Sequence, residues 1–417
     1  MTTMTTTAAP KMRQRADLTF KQNIQHGRHG WLRLTPAYSV RLVEQVLDEF
    51  GEGARHVFEP FCGTGTTPLC ASYRGLNAVA TDINPFLVWL GRTKAATYHQ
   101  ADKDLFAAEV ERIADAIISG PAIEATLPPI KNIGRWWNPA ELTFLGQLKA
   151  RIQALAQAPA KELLKVAFCR TMMALSNAAF NHQSMSFKDA PADGQLALEL
   201  EQATQRFRQQ FLADAKVIAD SCLDNPNGDI AIERIDAREL DRNGFRDFDL
   251  VITSPPYPNR MSYIRELRPY MYWLDFLVEA RAAGELDWEA IGGTWGIATS
   301  RLQSWEPTDA FVPAHLFPVL DAIRGAHPRN GPLLAAYVHK YFDDMFHHFR
   351  TIASLVRKGG TVHYIVGNST FYGHLVAAER LYMDQMERAG FRNVSARAIR
   401  KRNSKKELVE FHVIGTR

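Results

Sequence analysis

Short apolar runs closed by glycine, proline or an acid alternate along this chain with longer stretches whose apolar residues recur at helical spacing. His56–Phe61, Asn77–Asp82, Ile230–Ile232 and Phe248–Thr253 read as strands, the last a β-branched run of the kind buried on both faces of a parallel sheet. Val40, Val43, Val46 and Leu47 follow Ser39 with a helical repeat that runs to about Phe50. Further on, Thr361–Val366 reads as a strand behind Lys358-Gly359-Gly360. A helix follows over Ala377–Ala389, then two closing strands, Asn393–Ile399 and Leu408–Ile414. Strands separated by helices predict an α/β fold with a doubly wound, mostly parallel sheet.

A crossover in such a sheet needs only about a dozen residues, helix included, so residues 86–229 read as an insertion. Its spacing predicts helices over Lys103–Ile118, Pro139–Gln157, Ala160–Ala178 and Leu196–Ser221. The expected layout is a Thr/Ala-rich, then basic, disordered arm over residues 1–19 and a catalytic domain formed by 20–85 and 230–417. The helical insertion interrupts that domain, and a second irregular stretch, 258–340, lies inside it.

Two loops carry the candidate chemistry. Phe248–Thr253 ends in Ser254-Pro255-Pro256-Tyr257, where neither proline can donate to the ladder and each presses its predecessor towards extended backbone. The result is a stiff turn offering a hydroxyl, an unpaired carbonyl and an aromatic face at the carboxyl edge of the sheet, where open α/β sheets bind ligands. Those groups suit a flat, amino-bearing ring. Upstream, Cys62-Gly63-Thr64-Gly65-Thr66-Thr67 joins a strand to a helix through a turn that lets a ligand approach the backbone. It lacks the third glycine of a dinucleotide fingerprint and the GxxxxGK[ST] of a triphosphate cradle. Asp82 closes the next strand about 20 residues on, a position that suits two ribose hydroxyls. Asp236, after the strand at Ile230–Ile232, is placed to accept from an adenine amino group.

In this order, Phe-Cys-Gly-Thr-Gly at 61–65, Thr-Asp-Ile-Asn-Pro at 81–85 and Ser-Pro-Pro-Tyr at 254–257 resemble the S-adenosylmethionine-dependent DNA amino-methyltransferases. The serine-led turn is most similar to the cytosine-N4 branch, the restriction-modification methylases of the SPPY type; adenine-N6 members usually begin it with Asp or Asn. The resemblance implies a Rossmann-like methyltransferase sheet ending in an antiparallel hairpin. It implies S-adenosylmethionine as cofactor, lined by Phe61, Cys62, Gly63, Gly65 and Thr66. The cofactor's ammonium would meet Glu59, its ribose Asp82 beside Ile83 and Asn84, and its adenine Asp236. A segment carrying Pro36 and Ser39 would fold over its methionine end.

By the same resemblance, Ser254, Pro255, Pro256 and Tyr257 would hold a cytosine flipped out of double-stranded DNA. The expected reaction is in-line methyl transfer to its exocyclic N4, protecting sites from a cognate restriction endonuclease. Adenine N6 of DNA and amino groups of RNA bases would use the same parts. Arg260 and Arg265 follow the catalytic turn closely enough to contact flanking phosphates. Arg400, Lys401, Arg402, Lys405 and Lys406 crowd a predicted hairpin turn that suits phosphate contact. The helical insertion and the 258–340 stretch are rival regions for target recognition. In the former, Arg135-Trp136-Trp137-Asn138 and Asn181-His182-Gln183-Ser184 can read bases or backbone, or, for the two tryptophans, fill a core.

Composition narrows the picture further. In 417 residues, 46% are hydrophobic and 23% charged, ordinary for a soluble globular protein. A net charge of +4 is only mildly basic, so a nucleic-acid footprint must come from local clustering. Cys62, Cys70, Cys169 and Cys222 show no CxxC pairing, and no Pro-Cys dipeptide offers the covalent route to ring-carbon methylation. Asp343, Asp344, His347 and His348 pair acid with histidine at i,i+4, but sit among Phe342, Met345, Phe346 and Phe349 as the polar stripe of a packed helix. No metal is expected. With no apolar run of membrane length and no leader, a cytoplasmic protein is expected.

Overall fold

The computed structural model describes residues 13–34, 37–179, 186–187, 198–240, 244–258, 262–294, 297–402 and 408–417. Three 3-10 turns (Ala16–Leu18, Phe20–Gln25, Gly27–Gly30) lead into α1 (Val40–Phe50), β1 (His56–Glu59), α2 (Thr66–Tyr73), β2 (Asn77–Asp82) and α3 (Pro85–Ala95). Next come α4 (Gln100–Ser119), α5 (Pro139–Gln153) and α6 (Pro159–Ala174). A two-residue pairing of β3 (Ala178–Ala179) with β4 (Ser186–Phe187) precedes α7 (Leu198–Ala219). β5 (Ile230–Arg234) and β6 (Phe248–Thr253) precede α8 (Tyr263–Trp273), α9 (Ala282–Glu289), α10 (Ile297–Gln303), α11 (Phe317–Ala326) and α12 (Gly331–Leu355). The chain closes with β7 (Val356–Gly367), the small pair β8 (Ser369–Phe371) and β9 (His374–Val376), α13 (Ala378–Arg388), β10 (Arg392–Lys401) and β11 (Val409–Thr416).

One seven-stranded sheet runs β10-β11-β7-β6-β1-β2-β5. From β5 to β7 neighbouring strands are parallel, and β11 is antiparallel to both β7 and β10. This is the expected doubly wound sheet with its C-terminal antiparallel hairpin. Strand alternation divides its two faces. Val57, Leu250 and Ile252 pack under α1 and α2 with Val43, Val46 and Ala71. Phe58, Val251, Val362 and Tyr364 face α12 with Phe342, Met345, Phe349 and Ile352.

β7 begins at Val356 rather than Thr361. Phe248 pairs with Val356 and Leu250 with Thr361, so Lys358-Gly359-Gly360 lies within the strand as an irregularity of the ladder. Part of the expected arm is also ordered: Leu18 is buried against Leu42 and Ile365, which holds Ala16–Leu18 on the body of the protein.

Helices α4 to α7 share one apolar core with Trp31, with α3 and with α8. Trp136 and Trp137 lie inside it, their rings stacked at 5.6 Å, and Trp137 meets Trp273 edge-on at 5.7 Å. The Trp137 indole donates to the Met172 carbonyl at 2.8 Å. These two tryptophans are core, while Arg135 beside them is exposed; Asn181–Ser184 lies outside the described residues. No helix among the described residues is long and apolar enough to cross a membrane. Trp137→Ala empties a fully buried site and is expected to cost about 3–5 kcal/mol of stability, read as a lower denaturant midpoint; a loss below about 1 kcal/mol would place the ring outside the core.

Candidate active site

The strand order reverses at β1: the chain moves from β1 through β2 to β5, then returns to β6 on the other side. Helix connections diverge there and leave a crevice beyond the carboxyl ends of the strands. A cavity of about 250 Å³ occupies it. Residues following β1, β2, β5 and β6 line it, joined by Leu18, Phe20, Tyr38 and Ser39 from the N-terminal segment, Tyr263 and Ile264 from α8, and Arg400, Arg402 and Glu410 from the hairpin.

The glycine turn forms one wall. Gly63 and Gly65 take φ values of 51° and 79°, left-handed conformations that a side chain would strain, and Gly65 caps α2. Both oxygens of Asp82 accept backbone N–H groups, from Gly63 at 2.9 Å and from Asn84 at 2.9 Å. The carboxylate therefore organises the turn as well as lining the cavity beside Ile83 and Asn84. Burial pushes its pKa up to about 6, against those two amide bonds. Two polar atoms of lining residues, Ser39 Oγ and Asn84 Nδ2, are buried without a hydrogen-bond partner among the described residues. Buried polar atoms are rarely left so. A carboxylate held by the turn's own amides, beside a glycine turn that a ligand can approach, fits S-adenosylmethionine, the cofactor that the three motifs imply.

Other expected cofactor residues sit differently. Glu59 is fully buried and does not line the cavity. Its carboxyl accepts from the Tyr38 hydroxyl at 2.9 Å, the Thr67 hydroxyl at 2.6 Å, the Thr253 hydroxyl, and the Phe61 amide at 3.2 Å. In place of an ammonium, three hydroxyls and an amide already surround it, because it is the last residue of β1 and turns inward between α2 and β6. Cys62 and Thr66 are buried behind the turn, while Phe61 lines the cavity with its ring 4.9 Å from that of His348. Asp236 also lines it, but its carboxylate is gripped by Arg238, Nε to Oδ1 at 3.0 Å and Nη2 to Oδ2 at 2.6 Å. Pro36 lies outside the described residues.

Ser254, Pro255, Pro256 and Tyr257 all line the cavity. The Ser254 hydroxyl donates to the Ile365 carbonyl at 3.1 Å, which turns its lone pairs away from β7. Tyr341 donates to the Pro256 carbonyl at 2.6 Å, and the Tyr257 amide donates to the Tyr263 hydroxyl at 3.3 Å. No hydrogen bond reaches the Pro255 carbonyl among the described residues. The turn is braced from behind and keeps one hydroxyl and one carbonyl open.

The basic residues separate into two groups. Arg265 is exposed on the first turn of α8. β10 extends to Lys401, so Arg400 and Lys401 belong to a strand and not to the expected hairpin turn. Past a ladder irregularity, Arg400 pairs with Glu410, at 2.7 Å from Nε and 3.1 Å from Nη2, and Arg402 lies 4.9 Å from the centroid of the Tyr257 ring. Arg260, Lys405 and Lys406 lie outside the described residues. The acid–histidine stripe of α12 is spent internally: Asp344 holds Arg238 and Lys340, Asp343 holds Thr308, and His348 bonds the Ala237 carbonyl and Tyr364. No group of three or more metal-ligating side chains occurs among the described residues.

Sequence reasoning did not single out Thr67, Thr253, Lys94 or Glu410. Lys94 is fully buried beneath the glycine turn and donates to the Thr64 carbonyl at 3.0 Å. Thr253 and Lys94 come from segments distant from their partners, and Thr67 and Glu410 meet theirs only through the pairing of elements, so no local spacing announces them.

No family model matches the chain. Two curated relatives do: the Type II methyltransferase M.BsoBI of Geobacillus stearothermophilus, 24% identical over 271 residues, 60% of this chain and 53% of the relative; and the Type II methyltransferase M.MvaI of Kocuria varians, 24% identical over 277 residues, 61% of this chain and 60% of the relative. The chain thus spans little more than half the length of these relatives. Among solved structures, TrmN from Thermus thermophilus aligns at TM-score 0.32 with 11% identity, over 95% of this chain and 52% of that one. The rRNA methyltransferase aviRa from Streptomyces viridochromogenes aligns at 0.30 with 12%, over 95% and 96%. The curated relatives agree with the resemblance carried by the three motifs.

Burial pushes the Glu59 carboxyl up to about 8, against its hydroxyl and amide donors. Between the ordinary glutamate range and pH 8 the native state therefore holds a proton that the unfolded chain has released, and stability falls as pH rises through that window. Glu59→Gln removes the titration. The melting temperature of the wild type is expected to drop relative to Glu59→Gln between about pH 5 and 8 and to level off above; parallel pH profiles would overturn the assignment.

Proposed function

We propose that this chain is a DNA methyltransferase that transfers a methyl group from S-adenosylmethionine to the exocyclic N4 of cytosine in double-stranded DNA, protecting target sites from a cognate restriction endonuclease. One observation carries the reading: a single cavity is lined both by Gly63, Asp82 and Asn84 and by Ser254, Pro255 and Tyr257. A cofactor held by the first set would lie beside a base held by the second. The naming of both curated relatives as Type II methyltransferases supports the restriction-modification context.

The bound cofactor supplies a methyl on a sulfonium whose positive charge vanishes as the methyl moves. What this chain contributes is positioning and oriented dipoles. The amino nitrogen of cytosine is conjugated into its ring and is a poor nucleophile. Ser254, its own hydrogen directed to Ile365, has lone pairs to accept one amino N–H, and the Pro255 carbonyl accepts the other. Both bonds draw the nitrogen lone pair out of conjugation and fix its direction. The proton leaves to solvent once the nitrogen is cationic, so no strong base is needed. Tyr257 offers its ring to a base taken out of the stack, which enzymes of this kind must do to reach the atom. Arg265, exposed at the start of α8, is suited to a flanking phosphate, and Arg260, Lys401, Lys405 and Lys406 would extend that contact. The recognition role of residues 86–229 or 258–340 belongs to the same proposal.

The deciding assay is methyl transfer from labelled cofactor to unmethylated genomic DNA, followed by nucleoside mass spectrometry. N4-methylcytosine is expected from the wild type, with the rate lowered about 10²-fold or more in Ser254→Ala and Tyr257→Ala. Calorimetric cofactor affinity should change little in either variant. N6-methyladenine would overturn the cytosine assignment, and cofactor binding without any DNA product would overturn DNA as the substrate.

A further inference from the structure

The C-terminal hairpin reaches the proposed base pocket with three charged side chains that the three motifs leave without a role. Glu410, on β11, is buried, and its Oε1 accepts the Tyr257 hydroxyl at 2.8 Å. Arg400, its register partner on β10, donates to both Glu410 oxygens. A buried carboxylate costs several kcal/mol to desolvate unless paired, and the guanidinium makes its charge tolerable there. Arg402 leaves β10 and crosses the end of β7, donating to the Asn368 carbonyl at 2.7 Å and laying its guanidinium against the Tyr257 ring. Gly367 makes that route possible: a Cβ there would stand 2.6 Å from Arg402 Nη1 and 2.8 Å from Cδ.

A phenol has one free torsion at its hydroxyl and a ring that turns about its stem. Glu410 takes the hydroxyl hydrogen, which fixes the ring's far end, while Arg402 occupies one face at a separation usual for cation–π contact. The Ser254 hydroxyl stands 3.4 Å from the phenol oxygen, so the serine is placed relative to the same carboxylate. We propose that Glu410, neutralised by Arg400, is the positioning residue of Tyr257, and that with Arg402 it leaves a single orientation and a single free face of that ring for the target base. The inference rests on reading Tyr257 as the base-facing side chain.

A double-mutant cycle on the full chain tests it, with Glu410→Ala, Tyr257→Phe and the double variant. Single-turnover methylation of genomic DNA is read together with KM for DNA, calorimetric cofactor affinity and melting temperature. Acting through the phenol, Glu410→Ala should lower turnover about tenfold in the wild type and less than about twofold in the Tyr257→Phe background, with KM and cofactor affinity nearly unchanged. Glu410→Gln, which keeps an acceptor for the phenol, should recover part of the loss. Should Glu410→Ala fail to fold, the same cycle built on Glu410→Gln carries the test. Equal losses in both backgrounds, or a loss expressed in KM or cofactor affinity, would overturn the positioning role and leave the proposed activity standing. Absence of labelled DNA product from the wild type would overturn the activity, and the inference with it.

Discussion

A buried carboxyl at the end of β1 holds the rest of the site in register. Glu59 accepts hydrogen bonds from Tyr38 in the N-terminal segment, Thr67 on α2, Thr253 at the end of β6 and its own neighbour Phe61. Those segments carry, in turn, the residues that close the cavity, the glycine turn and the serine–proline turn. Burying a carboxyl is costly unless it is fully bonded or protonated, so none of the four can shift without leaving it unsatisfied. The raised pKa of Glu59 follows from the same burial. A neutral or shared proton at this point lets an acid sit in the core without an ion pair and still gather hydroxyls from distant stretches of chain.

That arrangement explains what the sequence makes legible and what it hides. β2 and β6 read to the residue because each is a short apolar run bounded by turn chemistry, and alternation with helices announces a doubly wound sheet but not the order of its strands, which only their pairing gives. Gly63, Gly65, Asp82 and Ser254–Tyr257 were visible because each chemistry is confined to a few consecutive residues. Glu59 was visible as an acid but not as a hub, since its partners lie at 38, 67 and 253. Arg400 and Arg402 read as phosphate-contacting cations of a hairpin turn because a charge cluster has no local mark of pairing; only the register of β10 with β11 sets Arg400 opposite Glu410. Trp136 and Trp137 were ambiguous for the complementary reason: an aromatic pair looks the same in a loop and in a core until its neighbours are known.

Packing ties the insertion to the sheet. Phe86 of α3, on the strand-to-helix turn behind Asp82, stacks on Tyr270 of α8 at 4.9 Å, and α8 is the next helix after the serine–proline turn. Trp273 of α8 in turn meets Phe168 and Trp137 of the helical layer. One apolar core therefore runs from the back of the glycine-turn side to the back of the serine–proline side.

The charged groups that line the cavity are held in pairs. Asp236 is gripped by Arg238, and Arg400 neutralises Glu410. Asp287 and Glu289 line it as well, so carboxylates and guanidiniums are interspersed along its wall and not sorted to its two ends. What the pairing fixes is position: Arg400 is anchored to Glu410, Glu410 to the Tyr257 hydroxyl, and Arg402 to the Tyr257 ring. The charges of the hairpin and the surface on which a flipped base would stack then move, if they move at all, as one.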